Sequence, residues 1–106
     1  MNSPIRHEDQ RRVLIEWVQD YAIRACKVAI IKEDLELGNH YHKNKDEIFY
    51  LLSGGGEIEL DGKRSSIKEG DKVFIPRGTR HSFWLTKGSI LLGAGTEPFD
   101  PNDEIK

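Results

Sequence analysis

Short apolar runs separated by turn-forming residues dominate this sequence from Val13 onward. They recur about every ten residues, the spacing of an all-β sandwich or barrel. Asp61-Gly62 is the clearest turn, because this pair accepts the positive φ angles of a two-residue β-hairpin. The pattern predicts an all-β fold. The runs are VLIEWV, YAIRACKVAII, EIFYLL, EIEL, KVFIP, HSFWL and SILLGA.

The length of 106 residues suits one compact domain. We expect a polar N-terminal arm over residues 1–12, a β-barrel over 13–97 and an extended tail over 98–106, where prolines disfavour a central strand. Helix competes with strand only across residues 13–31, where alanine and leucine suit either state. The valine, isoleucine and aromatic content there favours strands.

The charge balance gives no field that would attract nucleic acid or an anionic membrane. Sixteen basic and 18 acidic side chains leave a formal charge of -2. No apolar stretch reaches membrane-spanning length, so we expect a soluble, cytoplasmic protein that binds a small molecule. Cys26 is the single cysteine, which excludes an intramolecular disulfide, and its place among apolar residues predicts a buried thiol.

Three histidines and a glutamate have the spacing of a metal site. His40 and His42, two apart on a strand, would face the same side about 6 to 7 Å apart. A turn through residues 43–46 would bring Glu47, at the start of the next antiparallel strand, to face them again. Pro76 and Gly78 bend the chain before His81, which can supply a third imidazole. Such a set leaves positions open for water or substrate.

The same residues resemble the two motifs of the cupin family. G-N-H-Y-H-x4-E-x6-G, from Gly38 to Gly54, is similar to the first motif, and G-x5-P-x-G-x2-H, from Gly70 to His81, to the second. The resemblance implies a single-domain cupin, a double-stranded β-helix (jelly-roll) barrel, with a divalent transition metal on His40, His42, Glu47 and His81. This ligand set suits iron, manganese, nickel, cobalt, copper or zinc.

Shorter phrases, GNHYHKNKDE and EPFDPNDEI, resemble cupins of nucleotide-sugar and capsular polysaccharide pathways. That resemblance implies a metal-dependent enzyme that isomerises or epimerises a small carbonyl or sugar-derived substrate. An iron-dependent dioxygenase and a non-catalytic module that binds a metabolite or sugar are the alternatives. The sequence does not choose among them.

Three further side chains are candidates for substrate contact. Phe49 and Phe83 lie two residues from Glu47 and His81, which places each on the face of its neighbouring ligand. Arg24 could hold a phosphate group.

The strand EIFYLL also bears on assembly, because it is apolar on both faces. The outward residues Ile48, Tyr50 and Leu52 need a cover. A homodimer that packs this face and the N-terminal strands across a two-fold axis is expected, with an intrachain cover as the alternative.

Overall fold

Strands form along the predicted apolar runs in the computed structural model, which describes residues 2–106. The all-β prediction is confirmed, since the helical content of those residues is one 3₁₀ turn, Pro101–Asp103. No helix within them is long and apolar enough to cross a membrane. The strands are β1 Ile5–Glu8, β2 Val13–Glu16, β3 Ala25–Ile30, β4 Leu35–His42, β5 Glu47–Ser53, β6 Gly55–Leu60, β7 Lys63–Lys68, β8 Lys72–Ile75, β9 His81–Leu85, β10 Ile90–Gly95 and β11 Glu104–Ile105.

Two antiparallel sheets enclose the core. One has the strand order β3-β10-β5-β8 and the other β11-β4-β9-β6-β7, while β1 and β2 form a separate two-stranded ribbon. Apolar side chains from both sheets meet between them, as in jelly-roll folds. The buried core consists of Ile31, Phe49, Leu51, Ile58, Ile67, Ile75, Phe83, Leu85 and Leu91.

The Asp61-Gly62 hairpin is confirmed. Leu60 pairs with Lys63 across it, and Asp61 and Gly62 have φ angles of 47° and 85°. Both angles are positive, as a type I′ turn requires. The helical alternative for residues 13–31 is wrong, because β2 and β3 occupy that region.

Both ends of the described chain are more ordered than an arm and a loose tail. Strand β1 pairs with β2, so the boundary predicted after residue 12 divides a hairpin. In the tail, Asp100 accepts a hydrogen bond from the backbone of Asn102 and begins the 3₁₀ turn. Strand β11 then pairs with β4 at the edge of the five-stranded sheet.

The outer face of β5 is covered in part by its own chain. Ile48 and Tyr50 are buried, and Trp17 stacks on Tyr50 with ring centroids 6.1 Å apart. Tyr21 stacks in the same way on Phe74 of β8. The intrachain cover considered for this face therefore exists over its central part.

Strand β3, at the edge of the same sheet, exposes its outer side chains. Val28 is 61% and Ile30 67% exposed, and Leu52 of β5, beyond the intervening β10, is 38% exposed. Cys26, on the same outer face, is also exposed, so the prediction of a buried thiol is wrong. Val28 and Ile30, the apolar residues that share its face, point away from the core.

Candidate metal centre

A β-bulge in β4 directs the first two histidines into the barrel. Leu37 pairs with Phe83 and His40 with His81, and the register shifts between Gly38 and His40. Because Leu37 and His40 are an odd number of residues apart, a regular strand would place them on opposite faces. The extra residue restores both to the inner face. Gly38 and Asn39, with φ angles of 97° and 61°, form this bulge.

Glu47 reaches the histidines from the other sheet. As predicted, residues 43–46 separate β4, which ends at His42, from β5, which begins at Glu47. The two strands do not form a hairpin, however, since β4 pairs with β9 and β11 while β5 pairs with β8 and β10. The loop crosses between sheets. The buried Asp103 holds it by accepting hydrogen bonds from the backbone N–H groups of Lys43 and Asn44.

The four predicted side chains meet at one point inside the barrel. His40, His42, Glu47 and His81 each offer one ligand atom, and these atoms lie within 4.8 Å of one another. Oε1 of Glu47 is 3.1 Å from Nε2 of His42 and 3.5 Å from Nε2 of His81. The ring of His40 lies 4.7 Å, centroid to centroid, from each of the other two imidazoles. This cluster could hold a metal ion.

Backbone carbonyls fix the orientation of two imidazoles. Nδ1 of His42 lies 3.2 Å from the carbonyl oxygen of Asp103, and Nδ1 of His81 lies 3.0 Å from that of Thr79. A carbonyl oxygen can only accept, so each Nδ1 carries the proton and donates it. The lone pair of each Nε2 is then directed at the cluster, which is the arrangement found around histidine-bound metals.

The carboxylate of Glu47 divides its two oxygens between different neighbours. Oε2 faces the ammonium groups of Lys27 at 3.4 Å and Lys45 at 3.8 Å. Oε1 is buried and has no hydrogen-bond partner among the described residues. A buried carboxylate oxygen without a partner is costly, and a cation among the imidazoles would satisfy it. The donor set therefore fits a divalent transition metal.

Burial favours the neutral form of two imidazoles in this cluster. Desolvation, followed by the neighbouring His81 and His42, lowers the pKa of His40 from 6.5 to about 4. Desolvation also lowers the pKa of His81, although its hydrogen bond to Thr79 and the charge of Glu47 oppose the shift. Neutral imidazole is the form that binds metal.

These shifts predict an acid-resistant metal site. A proton competes with the ion for an imidazole only below the pKa of that imidazole in the metal-free protein. Zn²⁺ occupancy, measured by chelator competition, is therefore expected to persist through the ordinary histidine pKa of about 6.5 and to fall only below roughly pH 5. Half-release near pH 6.5 would contradict the lowered pKa values. Occupancy that stays flat below about pH 4 would contradict histidine ligation.

A cavity of about 290 Å³ opens onto the cluster. Phe49 and Phe83 line it, with ring centroids 5.0 Å apart, and their contact with a substrate stays a prediction. Arg24 does not line it, because its guanidinium pairs with Glu97 at 2.6 Å outside this cavity. Substrate contact by Arg24 stays a prediction that this geometry does not support.

Two charged side chains of the cavity were not predicted from the sequence. Lys27 projects from β3 and Glu104 from β11, and both line the cavity beside the cluster. Oε1 of Glu104 lies 3.0 Å from Nδ1 of His40, although not in hydrogen-bonding geometry. Lys27 was not predicted, because the run that contains it was interpreted from its apolar residues alone. Glu104 lies in a tail that has the composition of a solvated segment.

The fold is a two-sheet β-barrel, and a histidine-rich centre lies between its sheets. A comparison with protein families identifies the class of protein that has these features. The family model described as "Cupin domain" matches residues 27–91, which is more than half of the chain. The chain therefore belongs to the cupin family.

Relatives with similar sequences include an uncharacterised protein and an enzyme. An uncharacterised protein from Aquifex aeolicus is 38% identical over 68 residues, covering 63% of this chain and 56% of that protein. Quercetin 2,3-dioxygenase from Bacillus subtilis is 32% identical over 66 residues, covering 58% of this chain and 20% of the dioxygenase. The matched region spans about half or less of these relatives.

Solved structures of sugar-modifying cupins share the fold. A 3,4-ketoisomerase from Thermoanaerobacterium thermosaccharolyticum, solved as a double mutant in complex with TDP, superposes with a TM-score of 0.84. The match covers 97% of this chain and 83% of that one at 21% identity. At that identity the likeness establishes the fold alone.

Proposed function

We propose that this protein is a metal-dependent enzyme that isomerises a small carbonyl compound, with the ion on His40, His42, Glu47 and His81. The observation that carries the proposal is the position of Glu104. Its carboxylate lines the same cavity as the cluster but is not one of the four clustered side chains. Glu47 would have to leave the ion to act as a base, whereas Glu104 would not.

Each part of the site has a distinct task in this reaction. A bound divalent ion supplies Lewis acidity toward a carbonyl or hydroxyl oxygen of the substrate. Glu104 accepts the proton from the hydroxyl-bearing carbon next to the carbonyl and returns it to the former carbonyl carbon, while the hydroxyl proton passes to the former carbonyl oxygen, so the overall change is an isomerisation. Phe49 and Phe83 pack against the substrate and exclude water from the reacting atoms.

Proton exchange tests this function directly. Metal-loaded protein is incubated in D₂O with small 2-hydroxy aldehydes, ketones and keto sugars, and deuterium uptake beside the carbonyl is followed by NMR. For a substrate that exchanges, Glu104→Gln is expected to slow exchange by roughly 100-fold or more while the ion stays bound. The matched control is Glu57→Gln, whose carboxylate pairs with Arg64 on an exposed surface. No exchange with any compound, or equal rates in both variants, would contradict the proposal.

A second candidate is an iron-dependent dioxygenase, and the similarity to quercetin 2,3-dioxygenase supports it. Four ligands leave up to two positions on a six-coordinate iron for substrate and O₂. The Fe²⁺-loaded protein would then consume oxygen with a substrate that it does not isomerise under nitrogen. Saturable binding without either reaction would instead indicate a binding module.

The assembly proposed with this function is a homodimer through the outer face of β3. Val28 and Ile30 are exposed there. β3 is also an edge strand of its sheet, and an edge with apolar neighbours is a ready pairing surface. A two-fold axis would bring two copies of this patch together.

Light scattering at micromolar concentration tests the dimer. A mass of twice the 12.2 kDa chain is expected for the wild type, and Ile30→Glu is expected to return it to that of one chain. Lys63→Glu, on the exposed outer strand β7 of the other sheet, is the control and should leave the dimer intact. A wild-type mass near 12.2 kDa would show that the patch does not self-associate.

A further inference from the structure

Two lysines approach the same oxygen of Glu47, and they differ in their surroundings. Lys45 is buried, with 7% of its side chain exposed, whereas 60% of the Lys27 side chain is exposed. Both ammonium groups lie near Oε2, at 3.8 Å and 3.4 Å. A buried lysine needs a counter-ion, and Glu47 supplies it. Lys45 is thereby committed to Glu47, while Lys27, which donates a hydrogen bond to Oε2, has an exposed ammonium group that can also reach a ligand.

Gly93 allows Lys27 to cross the cavity wall. A Cβ atom at position 93 would lie 3.0 Å from Cε and 3.1 Å from Cγ of Lys27, and 2.9 Å from Cε1 of Phe49. Contacts this short would displace the lysine stem or the ring. With glycine there, the stem packs over the strand and the ammonium group lies 5.4 Å from the Phe49 ring centroid. Lys27 is thus positioned beside the cavity, with its ammonium group still open to solvent.

The charges around the cavity favour an anionic ligand. Lys27 and Lys45 balance Glu47 and Glu104, so the charge of a bound divalent ion would remain uncompensated. Phosphate chemistry fits poorly, because Lys27 is the one lysine or arginine among the described residues that line the cavity. The cavity volume of about 290 Å³ is at the lower end for ligand pockets, which favours a small ligand.

We infer that the substrate is a small carbonyl acid with an apolar body, whose carboxylate pairs with Lys27. The apolar part would contact Phe49, Phe83 and Leu91, which line the same cavity. This inference rests on the proposed function and specifies the substrate class of that site. It makes Lys27 the residue that selects an acid over its neutral analogue.

Binding to a charged and a neutral probe tests this inference without any turnover. Zinc-loaded protein is titrated with 4-methyl-2-oxopentanoate and with its methyl ester, and both affinities are measured by NMR. Wild type is expected to prefer the acid by roughly tenfold or more, the effect of one charge-assisted hydrogen bond. Lys27→Met should abolish that preference by weakening acid binding alone, and Lys27→Arg should restore much of it.

Zinc affinity separates this role from simple support of Glu47. Lys27→Met is expected to change zinc affinity only a few-fold, whereas Lys45→Met, which removes the buried partner of Glu47, should change it more. The inference would be overturned if Lys27→Met and Lys45→Met lost zinc affinity equally and Lys27→Met still preferred the acid over the ester. Equal wild-type affinity for acid and ester, or tighter binding of TDP than of the acid, would also overturn it. Failure of proton exchange with the acid preference intact would overturn only the proposed reaction.

Discussion

Replacing His42 with alanine is expected to lower Zn²⁺ affinity by roughly a hundredfold or more. Loss of an outer partner of a metal-bound histidine already lowers affinity by about 10- to 100-fold, and loss of the ligand itself removes more. His40→Ala and His81→Ala should behave alike, because each imidazole lies at the cluster. Competition against a chromogenic chelator measures all three affinities.

The fourth histidine provides the control within the same chain. His7 lies on β1, opposite Leu14 of the N-terminal hairpin, and is exposed. His7→Ala is therefore expected to retain the wild-type affinity. Equal zinc binding by all four variants would refute the assignment of the metal centre.

Gly54→Ala is expected to destabilise the fold by about 3 kcal/mol or more, a large part of the usual stability of a small domain. A Cβ atom at this position would lie 2.1 Å from Oγ and 2.6 Å from Cα of Ser89, which is fully buried. The φ angle of 94° adds backbone strain for any residue other than glycine. Urea unfolding gives the change in the free energy of unfolding.

Gly62→Ala is the control that separates backbone strain at a positive φ angle from the steric clash with Ser89. Gly62 has a similar φ angle of 85°, but nothing lies within 4 Å of the position its Cβ would occupy. This variant should lose only about 1 to 2 kcal/mol from strain. An equal loss in the two variants would show that the contact with Ser89 is not what requires glycine at position 54.

Periodicity and turn chemistry were sufficient to predict the all-β fold and the composition of the cluster, although not the terminal strands β1 and β11. The two-residue spacing of His40 and His42 and the loop before Glu47 are local features, so they can be derived from sequence. The bulge at Gly38 and Asn39 was not predicted from the sequence. The odd separation of Leu37 from His40 was the signal that could have identified it.

The cavity charges depend on tertiary structure and were not predictable in the same way. Lys27 and Glu104 are far apart in the sequence, the first within an apolar run and the second in a polar tail. Only the pairing of β11 with β4 and of β3 with β10 brings them to the same cavity. Arg24 was predicted to contact substrate, but the tertiary structure pairs its guanidinium with Glu97 instead.

The position of the ligands on different sheets has a consequence for folding. His40, His42 and His81 belong to the five-stranded sheet and Glu47 to the four-stranded one. An ion held by all four would act as a removable cross-link between the layers, in a chain whose single cysteine provides no covalent one. Unfolding would then require the sheets to release the ion, so the free energy of chelation would add to that of folding.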